Sequence, residues 1–330
     1  NMNNFKKIGL SALAGSLVAM SAQAGELSVT GSSALYIANS DENTKTSYSM
    51  SDSVTFSGST ELDNGLTYSF SLELDGDAQS AKVDPAAASA TATGSNVVDS
   101  HSISLSSDSF GTLTFAGHGG TGVLDGWDDV TPNAYEESWD VVSGADASRT
   151  NGLAGNNSFG YVSPSMSGAT FHMSYFPGAA IGDSFYTDMG IKISPEMVEG
   201  LEVGYAMGTT ESTAGTEIDD STMYVKYAVG AVTVGYQTSE SDAPTATDTD
   251  ESTMFGISYA VSDSFTVAYN QSSFDLGSST TDQESDGISA SYTMGGITIA
   301  GAMNSTDNIA GSTATTADKD AYEMSISFAF

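Results

Sequence analysis

The sequence predicts an all-β chain that crosses a membrane as an antiparallel up-and-down β-barrel of about 16 strands. Apolar and polar residues alternate with a period of two from one end of the chain to the other. Short turns alternate with long polar loops. Beyond Gly25 no uncharged apolar run reaches the roughly 20 residues of a transmembrane helix, so a membrane crossing falls to strands.

The alternation is cleanest in Leu66-Thr67-Tyr68-Ser69-Phe70-Ser71-Leu72-Glu73-Leu74, where even positions are apolar and odd ones polar. Successive side chains of a strand point to opposite faces, so such a segment carries two unlike surfaces. The pattern recurs at Val54-Thr55-Phe56, Leu113-Thr114-Phe115 and Phe171-His172-Met173-Ser174-Tyr175. Met189–Ile193, Met223–Tyr227, Phe255–Tyr259, Phe265–Tyr269 and Tyr322–Phe330 repeat it.

The connections fall into two kinds. Asp63-Asn64-Gly65 is a tight-turn signal because Asn-Gly readily supplies positive φ. Gly230-Ala231, Ser262-Asp263-Ser264 and Gly295-Gly296 sit equally between alternating runs. Longer stretches rich in Asp, Ser, Thr and Ala fall around residues 39–47, 76–96, 117–156, 177–184, 209–221, 239–251, 273–285 and 305–319. Eight long connections alternating with short turns give the strand count and predict one tight and one decorated end. A soluble β-sandwich also alternates, but it must cover every apolar face with a second sheet. Here the apolar face is rich in Tyr, Phe, Val, Met and Ile, and Tyr68, Tyr175, Tyr205 and Tyr259 suit an interfacial girdle in lipid. Closure follows, because an open sheet edge cannot be satisfied in hydrocarbon.

Residues 1–24 read as a cleavable export signal preceding a barrel domain over residues 25–330. A short segment holding Lys6 and Lys7 leads into the apolar stretch Ile8–Met20, and Ala22-Gln23-Ala24 has the small-x-small form of a cleavage site. The 330 residues hold 42 acids against eight bases, a net charge of −34. Nucleic acid is excluded as a natural partner, since phosphate binding needs clustered Lys and Arg. The absence of cysteine excludes disulfides, thiolate zinc and a thiol nucleophile. His101, His118 and His172 share no metal-binding spacing, and no enzymatic activity is expected.

Four features resemble the general porins of the Gram-negative outer membrane. They are the export signal, the opening strand Gly25-Glu26-Leu27-Ser28-Val29-Thr30-Gly31, and the segment Phe110-Gly111-Thr112-Leu113-Thr114-Phe115-Ala116-Gly117, with Phe330 at the last position. Asn157-Ser158-Phe159-Gly160-Tyr161-Val162-Ser163-Pro164-Ser165-Met166-Ser167-Gly168 also resembles that family's Asn-Ser-Ile-x-Tyr-x-Ser-Pro-x-Phe-x-Gly stretch. The resemblance implies a homotrimer of about 16-stranded barrels in the outer membrane, in contact with its lipid and lipopolysaccharide. It also implies that Phe330 is read by the barrel-assembly machinery and that the third long loop folds into the lumen to narrow it.

By position that loop spans residues 117–156 and carries Asp125, Asp128, Asp129, Glu136, Glu137, Asp140 and Asp146. In the family, acids on this loop face arginines on the wall. Here Arg149 is the only arginine and lies on the loop itself. Parity turns Glu61 and Glu73 inward, and leaves Lys192, Lys226 and His172 as inward basic candidates. An acid-dominated constriction predicts a passive diffusion channel for small hydrophilic solutes that prefers cations. Asp125 through Asp129 and Asp248-Thr249-Asp250-Glu251 also offer oxygen ligands for Ca²⁺, without the spacing of an EF-hand. The alternative is a non-conducting structural or adhesive surface β protein with acidic, calcium-binding loops. Trp127 and Trp139 are expected to pack the loop against the wall.

Overall fold

The computed structural model describes residues 27–41, 45–75, 97–145, 152–178, 185–211, 217–242 and 249–330. The expected export signal, Asp146, Arg149 and Asp248 lie outside these residues. The strands in chain order are β1 (Leu27–Ser40), β2 (Ser47–Glu61), β3 (Thr67–Asp75), β4 (Val98–Ser107), β5 (Gly111–His118) and the two-residue β6 (Gly120–Thr121). β7 (Ala154–Gly155), β8 (Ser158–Val162), β9 (Ala169–Phe176), β10 (Phe185–Ile193), β11 (Leu201–Glu211) and β12 (Glu217–Val229) follow. The last are β13 (Val232–Asp242), β14 (Asp250–Ser262), β15 (Phe265–Asp275), β16 (Gln283–Met294), β17 (Ile297–Asp307) and β18 (Lys319–Ala329).

Sixteen of these strands form one closed antiparallel barrel, and β6 and β7 pair separately as a small ladder that ties the two ends of the third long loop together. β1 closes on β18 in a register from Ser32↔Ala329 to Ser40↔Ala321. Gly31 and Phe330 exchange both backbone hydrogen bonds, at 2.9 and 3.0 Å. The expected strand number therefore stands. The strands run further toward the long-loop end than the alternation alone marks, so the connections expected over 209–221 and 239–251 shorten to 212–216 and 243–249. The turns at 108–110, 163–168 and 194–200 carried no signal used above.

The two faces separate as parity requires. On β12, Met223 and Val225 are exposed on the outside, while Asp220, Thr222 and Tyr224 are buried within. The same alternation holds on β9, where Phe171, Met173 and Tyr175 face out and Ser174 faces in. The outer face is apolar through the middle of β9 to β18, but Ser33 and Asp52 form a polar cross-strand pair on the outer face of β1 and β2.

The third loop builds the interior. Its apolar residues pack on the inner wall in two seams, one of Val123, Leu124 and Ala206 with Trp127, the other of Val141 and Val142 with Ala38, Ala302 and Ala321. Trp139 is buried too. Between these seams the loop follows the wall strand by strand. Leu124 N–H donates to Asp188 Oδ2 on β10 at 2.9 Å, and Val130 N–H to Gln237 Oε1 on β13 at 2.8 Å. Asn270 Nδ2 on β15 donates to the Pro132 carbonyl at 3.1 Å, Ser289 Oγ on β16 accepts from Ala134 N–H, and Asn304 Nδ2 on β17 donates to the Glu137 carbonyl at 2.6 Å. Tyr135 OH closes the series on Glu323 of β18 at 2.6 Å.

Glycines let the loop backbone lie this close. A Cβ on Gly235 would meet Pro132 Cδ at 2.5 Å, and one on Gly256 would meet the Pro132 carbonyl oxygen at 2.6 Å. No rotamer change relieves a clash with backbone. Gly256→Val is therefore expected to unseat Thr131 and Pro132 while leaving the wall strands paired. Single-channel recording should show raised open-channel noise, in protein whose heat-modifiable gel migration matches wild type.

Candidate functional site

The loop sweeps the wall from β10 through β18 to β1, so the lumen is bounded on one side by the loop and on the other by β2 to β5, β8 and β9. The inward positions on that facing wall are mostly hydroxylic. Ser57, Ser69, Ser71, Ser102 and Ser104 line one recess of about 380 Å³. Thr112, Thr114, Ser158 and Ser174 line another of about 350 Å³, together with His172, Trp127 and the glycines that open the loop.

The loop side carries the acids. Asp125 sits in a 3-10 turn over Asp125–Trp127, and Asp128 and Asp129 follow it. Asp129 accepts from Thr131 N–H at 2.6 Å, and Glu137 Oε1 accepts from Asn133 Nδ2 at 3.4 Å. Carboxylate oxygens of Glu136, Glu137 and Asp140 lie within 4.8 Å of one another. Burial, with the neighbouring carboxylates, pushes Glu137 up to about 7. Burial likewise holds Asp129 at about 6, against the opposing hydrogen bonds from Thr131. Asp125 and Asp128 are raised as well, first by desolvation. Like charges crowded in a half-dehydrated loop resist ionisation, and these shifts express that crowding.

The other expected residues are placed differently. Lys192 and Lys226 do point inward, but both turn to Glu202 on β11, at 4.0 and 3.2 Å, instead of facing the loop acids. Glu202 also accepts from Tyr224 OH at 3.2 Å. His172 faces in and meets the Trp127 ring edge-on at 5.4 Å. His101 and His118 stack at 6.5 Å on neighbouring strands, apart from it. Glu73 faces inward and accepts from Ser100 Oγ at 3.3 Å on the wall opposite the loop. Glu61 is not brought to the loop at all, because it is exposed at the end of β2 beside the 62–66 turn. Of the two calcium candidates, the 125–129 acids do not converge as a cage. Asp250 instead accepts from Gly277 N–H at 2.9 Å.

Sequence reasoning did not single out the residues that hold the loop in place. Asp188, which receives Leu124 N–H, Ser174 Oγ and Tyr186 OH, is 1% exposed. Gln237, Asn270, Asn304 and Glu323 are its counterparts further round the barrel. Each occupies an inward position in an alternating run, so extending the parity through β10 to β18 finds them.

Comparison with known proteins follows the same lines. The anion-selective porin from Comamonas acidovorans superposes with a TM-score of 0.69 at 15% identity, covering 93% of this chain and 100% of that one. OmpT from Vibrio cholerae, in vitro folded and in trimer form, gives 0.66 at 11% identity, over 93% and 100%. A mutant of the Rh. blastica porin gives 0.62 at 17% identity, over 92% and 100%. A search of curated proteins finds no sequence match. These likenesses concern the fold, and the sequence itself supplies the family. The model of the Gram-negative porins matches residues 9–330. With the closed barrel and its inward loop, this places the chain in the Gram-negative porin family, as an outer-membrane channel protein.

Proposed function

We propose that the protein is a water-filled passive diffusion channel for small hydrophilic solutes and that it prefers cations. The observation carrying this reading is the charge asymmetry of the lumen. The loop carries six carboxylates among the described residues, Asp125, Asp128, Asp129, Glu136, Glu137 and Asp140, whereas the recesses of the facing wall are lined by serine and threonine and by no lysine or arginine. A narrow aqueous passage lined by one sign of charge concentrates counter-ions. Screening over about 8 Å at physiological ionic strength leaves a constriction under the control of its lining. The anion selectivity of the Comamonas acidovorans porin does not carry over, since a likeness at 15% identity concerns the fold alone.

A non-conducting anchor needs a plugged lumen. The recesses beside the hydroxyl wall speak for conduction instead. Homotrimer assembly, the form in which the Vibrio cholerae OmpT is described, would cover the polar break at Ser33 and Asp52 that is costly against lipid. Export through residues 1–24, contact with lipopolysaccharide at the long-loop end and recognition of Phe330 by the assembly machinery complete the reading. The first rests on sequence pattern and the other two on the family resemblance.

A carboxylate about 5 Å from a passing cation is worth roughly 0.8 kcal/mol at the dielectric of water, about fourfold in local concentration before salt screening. Replacing Glu136 and Glu137 by Gln and Asp140 by Asn should therefore lower the K⁺/Cl⁻ permeability ratio severalfold. Reversal potentials under a KCl gradient measure it, and an unchanged ratio refutes the assignment. Asp129 and Glu137 also fix a pH dependence, because carboxyls held at about 6 and about 7 gain charge as pH rises. Cation preference should climb between about pH 5 and pH 8, and a ratio flat across that range would contradict it.

A further inference from the structure

On the short-turn side of loop 3 the wall of β10 to β12 carries bases. Lys192 and Lys226 are the only lysine or arginine residues there among the described residues, and one carboxylate, Glu202, serves both. Glu202 is itself shared with Tyr224 OH. Two ammonium groups against one carboxylate leave a net positive charge, and the two lysine side chains keep 38% and 34% of their surface open. They are thus able to take a second anionic partner from solution.

Trp127 stands between this pair and the loop acids. Asp125, in the same 3-10 turn, feels the carboxylates of Asp128 and of Asp188, which lies two residues from Gly190 toward the long-loop end of β10. Its ring projects over Gly190 on β10, where an added Cβ would meet indole carbons at 2.9 and 3.0 Å. It meets His172 at 5.4 Å and Tyr224 at 5.5 Å, both edge-on. Lys192 lies two residues beyond Gly190 on β10, and Lys226 two residues beyond Tyr224 on β12. At about 3.3 Å per residue, that step carries a solute some 7 Å from the indole to the lysines.

We propose that Trp127, with Asp125 and Asp128 on one side and Lys192 and Lys226 on the other, forms a transit subsite for extended zwitterionic solutes, namely di- and tripeptides. The terminal ammonium rests among the aspartates, the carboxylate bridges the lysine pair, and the intervening chain lies along the indole. The span selects the class. A free α-amino acid holds its two charges within about 3 Å and reaches only one end, whereas an extended peptide gains about 3.5 Å per residue. The proposal rests on the channel reading above and adds a solute class to it.

The test is single-channel recording in KCl with dialanine, its C-terminal amide and its N-acetyl derivative, which are zwitterion, cation and anion of one size. Dialanine should produce transient blocks at lower concentration than either derivative. Lys192→Gln with Lys226→Gln should weaken the dialanine block by about fivefold, the scale of a water-exposed ion pair, and leave the block by the amide nearly unchanged. Glu202→Gln should act in the opposite direction, strengthening dialanine block by releasing both lysines, a gain that misfolding cannot mimic. Wild-type channels on which the three compounds act alike, or lysine variants that weaken all three equally, would overturn the subsite. A wild-type protein with no KCl conductance would instead defeat the channel reading itself.

Discussion

Hydrocarbon offers backbone N–H and C=O groups nothing to bond with, and that deficiency governs the whole molecule. Every edge must be paired, so β1 has to find β18 across the full length of the chain. Once the sheet closes, each strand has one face in lipid and one in water, and the period-two alternation is the necessary result. The polar interior then becomes a surface that a loop can occupy, with side-chain amides and carboxylates supplied by neighbouring strands.

Loop 3 uses that surface as a long groove. Its apolar residues sink into seams with Ala38, Ala206, Ala302 and Ala321, and its backbone is taken up by Asp188, Gln237, Asn270 and Asn304 in turn. Burial, with the crowding of the loop acids, explains the raised Glu137 and Asp129 carboxyls, and serines and threonines line the recesses of the facing wall.

Much of this was legible in the residues. Alternation gave the two faces, Asn64-Gly65 and Gly295-Gly296 gave their turns, and the spacing of polar loops gave the strand number. Parity also turned Lys192, Lys226 and His172 inward. Parity says only which face a side chain occupies, however, and nothing about its height in the barrel or its neighbour. Lys192 and Lys226 therefore looked like candidates for the constriction until Glu202, on the strand between them, was seen to hold both. Glu61 has the right face and the wrong height. The seating of loop 3 was hidden for a related reason: it depends on residues far along the chain, 64 positions away for Leu124 on Asp188 and 107 for Val130 on Gln237.

The way loop 3 is fastened separates two properties that dissolved electrolyte would otherwise change together. Its tethers are mostly neutral amides and hydroxyls, joined by the Lys319 ammonium on the Ser143 carbonyl at 3.1 Å, and the two carboxylates among them, Asp188 and Glu323, are 1% and 3% exposed, beyond easy reach of mobile ions. The loop acids proposed to sort permeants are less deeply covered than these two carboxylates. On the reading proposed above, concentrated brine would blunt discrimination without loosening these buried tethers, leaving an aperture of constant width whose preference fades as the medium grows saltier.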